Sequence, residues 1–230
     1  MDGIAKAKEQ AGEAALKYIS NGMNVGLGTG STTDFFLIAL GREVRAGKLT
    51  GIRGVPTSIR SENRARELGI PTCNLVDVPG LDVAVDGADE VDPKLRLIKG
   101  LGGALLREKI IAQAAKRFVV IADHGKKVAR LGTRSPVPVE VTPFAHDSHA
   151  SFWQSIGCKP VLRKAADGKT YVTDNGNYIY DCHFADGIDD PEALEIKLLR
   201  HGGVVDTGLF LQEASVVLIA TPTGVEEIKR

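Results

Sequence analysis

The chain has 230 residues, enough for one sizeable core or for one core plus a small second domain. Basic and acidic residues balance at 29 each, so long-range attraction to nucleic acid or to an anionic membrane is not favoured. Cys73, Cys158 and Cys182 are odd in number and widely spaced, which argues against a disulfide framework or zinc cluster and for reduced thiols in a cytosol-like compartment. The polar, charged start lacks the apolar segment of a secretory signal, and no stretch approaches the roughly 20 apolar residues of a spanning helix.

Helical spacing of Ala7, Ala11, Ala14, Ala15, Tyr18 and Ile19 predicts a first helix over Ile4 to Ser20, stopped by Asn21-Gly22. A short strand follows at Asn24 to Leu27, then the loop Gly28-Thr29-Gly30-Ser31-Thr32 and a helix from Thr33 to Ala46. Ile52 to Val55 reads as a second strand and Ser58 to Leu68 as a helix closed by Gly69. Short apolar runs at Thr72 to Val76 and Leu81 to Val85 precede a helix over Ala104 to Lys116 and a fully buried strand at Phe118 to Ala122. This alternation predicts a parallel sheet covered on both faces.

After Arg130 the rhythm changes. The proline-rich Ser135 to Val139 leads to a helix near Ala145 to Ile156, then to strand-like runs at Pro160 to Arg163 and Tyr171 to Thr173. Asp174-Asn175-Gly176 reads as a hairpin turn before Asn177 to Asp181. A helix over Pro191 to Leu199 and a strand at Val204 to Thr207 complete a small α+β domain with antiparallel pairing. Val216 to Ala220 is expected to return to the first sheet. The expected domains are residues 1–131 plus 212–230, and 132–211.

The segment Val25 to Thr32 sits between a strand and a helix, where glycines free backbone N–H groups for an anion and the helix start adds its positive end. Thr29, Ser31 and Thr32 can add hydroxyl donors. Walker A requires Gly-Lys-Ser/Thr, and no lysine is present; the dinucleotide pattern requires glycine at 31, where serine stands. A single phosphate fits better than a nucleotide, and a tight turn capping a helix is the plainer alternative.

A second group of residues suggests acid–base chemistry. The run at Leu81 to Val85 breaks at Asp86 into Gly87-Ala88-Asp89, leaving little side-chain bulk between two carboxylates. Lys99 precedes Gly100-Leu101-Gly102-Gly103, so its charge lies beside open backbone amides. Ala104, Glu108 and Ala112 share one helix row. A carboxylate among alanines beside a glycine turn suggests a recessed base, although Arg107-Glu108-Lys109 also reads as a solvated charge run. Asp82, Glu90 and Asp92 read as caps or turn formers. His146 and His149 stand one turn apart, a metal-binding spacing, but without a third ligand an exposed polar helix face is the simpler reading. Cys182-His183, Phe152 and Trp153 read as packing, and Lys126 or Lys127 follows the buried strand at the sheet edge of the phosphate loop.

Together, VGLGTGST (25–32), DVAVDGADEVD (82–92), KGLGGALLREK (99–109) and IADHGKK (121–127) resemble the type A ribose-5-phosphate isomerase family. PVPVEVTP (136–143), VTDNGN (172–177) and GVVDTGLF (203–210) extend the resemblance over nearly the whole chain. The resemblance implies a Rossmann-like α/β domain, a smaller ferredoxin-like α+β domain, a cytoplasmic homodimer, a sugar-phosphate substrate, and no metal or cofactor. By position, Gly28 and Thr29 to Thr32 would hold the phosphate, with Lys126 helping and Lys127 the alternative. Asp86, Gly87, Ala88 and Asp89 would meet the sugar hydroxyls and ring oxygen. Lys99 and the Gly100 to Gly103 turn would face the reacting oxygens, and Glu108 would be the base. The competing expectations are an amino-sugar-phosphate deaminase on a similar fold, which would release ammonia, and a non-enzymatic sugar-phosphate sensor. The sensor is disfavoured because the chain starts directly with the first helix of the α/β unit.

Overall fold

The structure, a computed structural model, describes residues 3–230; Met1 and Asp2, at the start of the expected first domain, lie outside the described residues. In chain order the elements are α1 (Gly3–Ala15), β1 (Asn24–Leu27), α2 (Ser31–Arg45), β2 (Arg53–Pro56), α3 (Ile59–Glu67), β3 (Val83–Gly87), β4 (Glu90–Val91) and β5 (Leu97–Ile98). There follow α4 (Leu105–Ala114), β6 (Phe118–Asp123), β7 (Val137–Val141), α5 (Ala150–Ser155), β8 (Lys159–Leu162), β9 (Tyr178–His183) and α6 (Pro191–Leu199). The last are β10 (Val204–Thr207), β11 (Leu209–Phe210), β12 (Val216–Thr221) and β13 (Gly224–Lys229). The chain forms two compact units, one of residues up to Ala88, Arg107–Lys126 and Glu213–Arg230, the other of Asp89–Leu106 and Lys127–Gln212.

The first unit is a six-stranded sheet in the order β13-β12-β6-β3-β1-β2, parallel except for the edge strand β13. Its central strands are buried along their length because helices cover the sheet, which is why they read as unbroken apolar runs. Ala7, Ala11 and Ala15 recur every four residues on the buried face of α1, and these small side chains let it pack closely on α2. As expected, the strand containing Val216 to Ala220 returns to this sheet, beside β6. Two expectations change. The first helix ends at Ala15 and continues only as a 3-10 turn over Leu16–Tyr18. The apolar run Thr72 to Val76 is largely not buried: Thr72 makes a single bridge to Gly54, and Leu75–Asp77 forms a 3-10 turn with Val76 exposed. Strand β13, rich in glutamate and lysine, gave no apolar signal; charged residues are usual on a sheet edge.

In the second unit β7-α5-β8-β9-α6-β10 builds an antiparallel sheet in the order β10-β7-β9-β8, the ferredoxin-like arrangement. A second small sheet, β11-β5-β4, pairs Leu209–Phe210 with Leu97–Ile98 and those with Glu90–Val91. This pairing draws residues 89–106 into the second unit, whereas sequence patterning put them in the first domain. The fully buried Glu90 carboxylate reinforces the link by accepting the N–H groups of Gly132, Arg134 and Ser135 at 2.6–2.7 Å. Such long-range partners leave no local trace in a sequence.

The turn at Asp174-Asn175-Gly176 forms, but Tyr171 to Thr173 is not a strand, and the sheet neighbours of β9 are β7 and β8. A buried carboxylate organises the turn instead: Glu140 Oε1 accepts from the Thr173 hydroxyl and from the side-chain amides of Asn175 and Asn177 at 2.9–3.1 Å. The expected helix near Ala145 opens as a 3-10 turn, His146–His149, before α5. His149 is buried, not on an exposed face, with Nδ1 2.9 Å from Nε2 of His201, and His146 Nδ1 lies 3.0 Å from the Tyr180 hydroxyl.

Burial, then the neighbouring His201 and His146, hold the His149 pKa below its ordinary 6.5. The unfolded chain therefore takes up this proton at a higher pH than the folded one. The contribution is present above about pH 6.5 and is lost as pH falls from there through the lower pKa of the folded state. The unfolding midpoint is expected to drop between pH 7.5 and 5.5, less steeply in His149→Gln; equal slopes would exclude His149 as the cause.

Candidate active site

Strand β1 lies between β2 and β3, so the chain leaves it toward one side of the sheet and later returns on the other. Such a reversal of direction is a switch point, and open α/β sheets bind ligands at the carboxyl ends of the strands there. The loop after β1 is Gly28-Thr29-Gly30, and β3 ends on Asp86-Gly87.

Asp86 straps the loop in place. It is 2% exposed, and its Oδ1 accepts the N–H groups of Thr29 (3.0 Å) and Gly87 (2.7 Å) and the Thr33 hydroxyl (3.2 Å). Gly28 makes this approach possible: a Cβ there would stand 2.1 Å from the same carboxylate oxygen. Gly30, with φ +131°, provides the backbone turn into α2 that side chains resist. The N–H groups of Ser31, Thr32 and Thr33, ahead of the Asp34 N–H that donates to the Gly30 carbonyl, and the positive helix end could together receive an anion. Asp34 in that turn is neutralised by Arg64, 2.6 Å away.

The loop side chains divide in their tasks. Thr29 Oγ1 is 2.7 Å from both Thr57 Oγ1 and Ser58 Oγ, and the Thr57 hydroxyl donates to the Leu27 carbonyl. Thr29 therefore anchors the loop inward, contrary to its expected use as a hydroxyl donor to the anion. Ser31 instead receives a 2.8 Å hydrogen bond from Lys8 Nζ on α1. Lys8 escaped the sequence reading because it is one of several lysines on a polar helix, far from the glycine motif. Lys126 ends a 3-10 turn after β6, whose carboxyl end lies on the same sheet edge as those of β1 and β3. Lys8→Ala is expected to raise the KM for a phosphorylated substrate about 5–50-fold, as loss of one charge-assisted hydrogen bond of roughly 1.5–3 kcal/mol would, with kcat nearly kept. Steady-state kinetics decide it, and an unchanged KM would remove Lys8 from the site.

Glu108 sits in the first turn of α4 and is 4% exposed; Lys109 is 5% exposed. The charge run is therefore not solvated, and Glu108 is recessed as its alanine neighbours suggested.

The second unit carries the other expected residues. Asp89 donates its N–H to the Ile98 carbonyl (2.8 Å), and its Oδ2 accepts the Leu101 N–H (3.0 Å). Lys99 is 2% exposed; its N–H donates to the Gly208 carbonyl (2.9 Å), and Nζ lies 5.4 Å from the Phe210 ring centroid. Gly100 to Gly103 close a turn through a 2.9 Å bond from the Gly103 N–H to the Gly100 carbonyl. Asp92 forms a local turn, as expected, accepting from Lys94 N–H and Arg96, whereas Asp82 is a long-range tie and not a cap, accepting from Asn24 N–H and Lys116.

A mostly parallel sheet with a glycine turn leading into a helix at its switch point, in a chain that also buries a glutamate and a lysine, defines an α/β protein of the kind that can take an anionic small molecule. Comparison with known proteins narrows this class. A family model for ribose 5-phosphate isomerase A (phosphoriboisomerase A) matches residues 53–224. Ribose-5-phosphate isomerase A of Roseiflexus castenholzii is 51% identical over 222 residues, which cover 96% of this chain and 94% of the relative. A solved D-ribose-5-phosphate isomerase in complex with phospho-erythronic acid has a TM-score of 0.95 at 42% identity, covering 99% of each chain. Ribose 5-phosphate isomerase A from Methanocaldococcus jannaschii has a TM-score of 0.92 at 38% identity, covering 98% of this chain and 99% of its own. The chain belongs to the ribose 5-phosphate isomerase A family.

Proposed function

We propose that this protein interconverts D-ribose 5-phosphate and D-ribulose 5-phosphate through an enediolate, in the non-oxidative pentose phosphate pathway. The observation that carries the reading is the phosphate-sized turn after β1, strapped to Asp86 in a chain of this family. The 5-phosphate binds the first-turn N–H groups of α2, Ser31 and Thr32, with Lys8 and Lys126 balancing its charge. Held away from the reacting carbons, the phosphate sets the register of the sugar and contributes binding energy. Asp86 and Asp89 meet the sugar hydroxyls and ring oxygen, and one of them carries the proton traffic of ring opening. The Glu108 carboxylate removes the C2 proton and returns it to C1. Lys99, with the amides of the Gly100 to Gly103 turn, stabilises the oxyanion that develops on the enediolate. Proton transfer alone accomplishes this change, so the reading requires no redox cofactor or metal.

The reading extends to a cytoplasmic homodimer without a nucleic-acid or membrane partner. The balanced charge and unpaired cysteines support that setting, and no helix among the described residues is long and apolar enough to cross a membrane.

The test is NMR of ribose 5-phosphate with the protein in D₂O. Ribulose 5-phosphate is expected to appear with deuterium at the exchanged carbon. Binding without turnover would replace the isomerase reading with a sensor, and ammonia released from an amino-sugar phosphate would replace it with a deaminase.

A further inference from the structure

The Gly100-Leu101 peptide is gripped from both ends by side chains of the second unit. Its N–H, on Leu101, donates to Asp89 Oδ2 at 3.0 Å. Its carbonyl, on Gly100, accepts from Arg163 Nη1 at 2.9 Å, and the same nitrogen lies 3.2 Å from the Leu101 carbonyl. The Arg163 guanidinium is in turn held by Asp181 on β9, through Nε to Oδ2 at 2.9 Å and Nη2 to Oδ1. Both charged side chains are largely buried, at 12% and 16% exposure, so this pair is neither a solvated surface contact nor strongly screened. Tyr171 completes the grip. Its hydroxyl stands 2.1 Å from where a Cβ on Gly103 would be, and its ring centroid lies 5.9 Å from the guanidinium.

We infer that Arg163, oriented by Asp181, is a positioning residue for the isomerisation: it acts through the Gly100-Leu101 peptide on Asp89 and on the turn that follows Lys99. The physical reason lies in the peptide unit. A cation on the carbonyl oxygen draws electron density from the amide and makes the opposite N–H a stronger donor to Asp89. Two carbonyls turned toward one guanidinium also fix the rotation of both peptides, and with it the direction of their N–H groups. A flexible lysine could not reproduce the planar fork that joins Asp181 to the turn. Arg163 lies just beyond β8 and Asp181 on β9, so the ferredoxin-like sheet supplies a rigid base for a glycine turn that has little stiffness of its own.

The inference rests on the isomerase reading, so wild-type turnover is measured first; its absence would sink that reading and not the role of Arg163. Given an active wild type, Arg163→Met is expected to lower kcat about 10²-fold, the scale of an ångström-sized misplacement, while KM for ribose 5-phosphate stays within about 3-fold. Guanidinium ion added to Arg163→Ala is expected to restore part of the lost kcat without changing KM, a response that a merely structural role would not show. Should the Arg163 variants fail to fold, Asp181→Asn decides, with an expected kcat loss of about 10-fold and an unchanged KM. Full kcat in Arg163→Met, a loss confined to KM, or full kcat in a folded Asp181→Asn would each overturn the inference.

Discussion

Glu108→Gln is expected to lower turnover about 10²–10⁴-fold, the contribution of a positioned general base, and to abolish deuterium entry from D₂O while phosphate binding persists. Glutamine keeps the size and hydrogen-bonding shape of the side chain but cannot accept the C2 proton. The buried carboxylate stands in the first turn of α4. One group able to take a proton from C2 and deliver it to C1 explains why a single glutamate suffices. The anion site depends on α2 and its loop, so the variant should still bind inorganic phosphate. Undiminished exchange would remove Glu108 from the mechanism.

Lys99→Ala is expected to cost about 10²–10³-fold in kcat, as loss of an oxyanion-stabilising group does, with a smaller change in KM. Lys99 is buried, 2% exposed, with its ammonium 5.4 Å from the Phe210 ring centroid. Such a charge is useful where a negative charge appears transiently, because the low-dielectric surroundings strengthen their attraction. The interaction forms mainly in the transition state, which is why kcat should fall more than KM rises. A pure KM effect would make Lys99 a substrate-binding residue.

Much of the candidate site was legible in the chain because its motifs are local in sequence. The glycine turn after a strand, the Asp86-Gly87-Ala88-Asp89 break and the glutamate in a row of alanines are each short motifs with a physical meaning of their own. What escaped was set at long range. Lys8 meets Ser31 only because α1 packs beside α2; Thr29 turns inward because Thr57 and Ser58 arrive from the end of β2. Nothing near Arg163 in sequence reveals that it holds the carbonyl of Gly100. The same separation explains the shifted domain boundary, since β4 and β5 find their partner in β11.

The amino-acid order by itself determined the two kinds of sheet, the phosphate-sized turn and the set of ionisable groups, because hydrophobic period, backbone freedom and side-chain chemistry are properties of neighbouring residues. Only the tertiary structure decided which hydroxyl turns inward, which lysine reaches the loop and which carboxylates are structural. Those outcomes depend on hydrogen-bond partners brought within about 3 Å by packing between distant segments, and no local pattern encodes them.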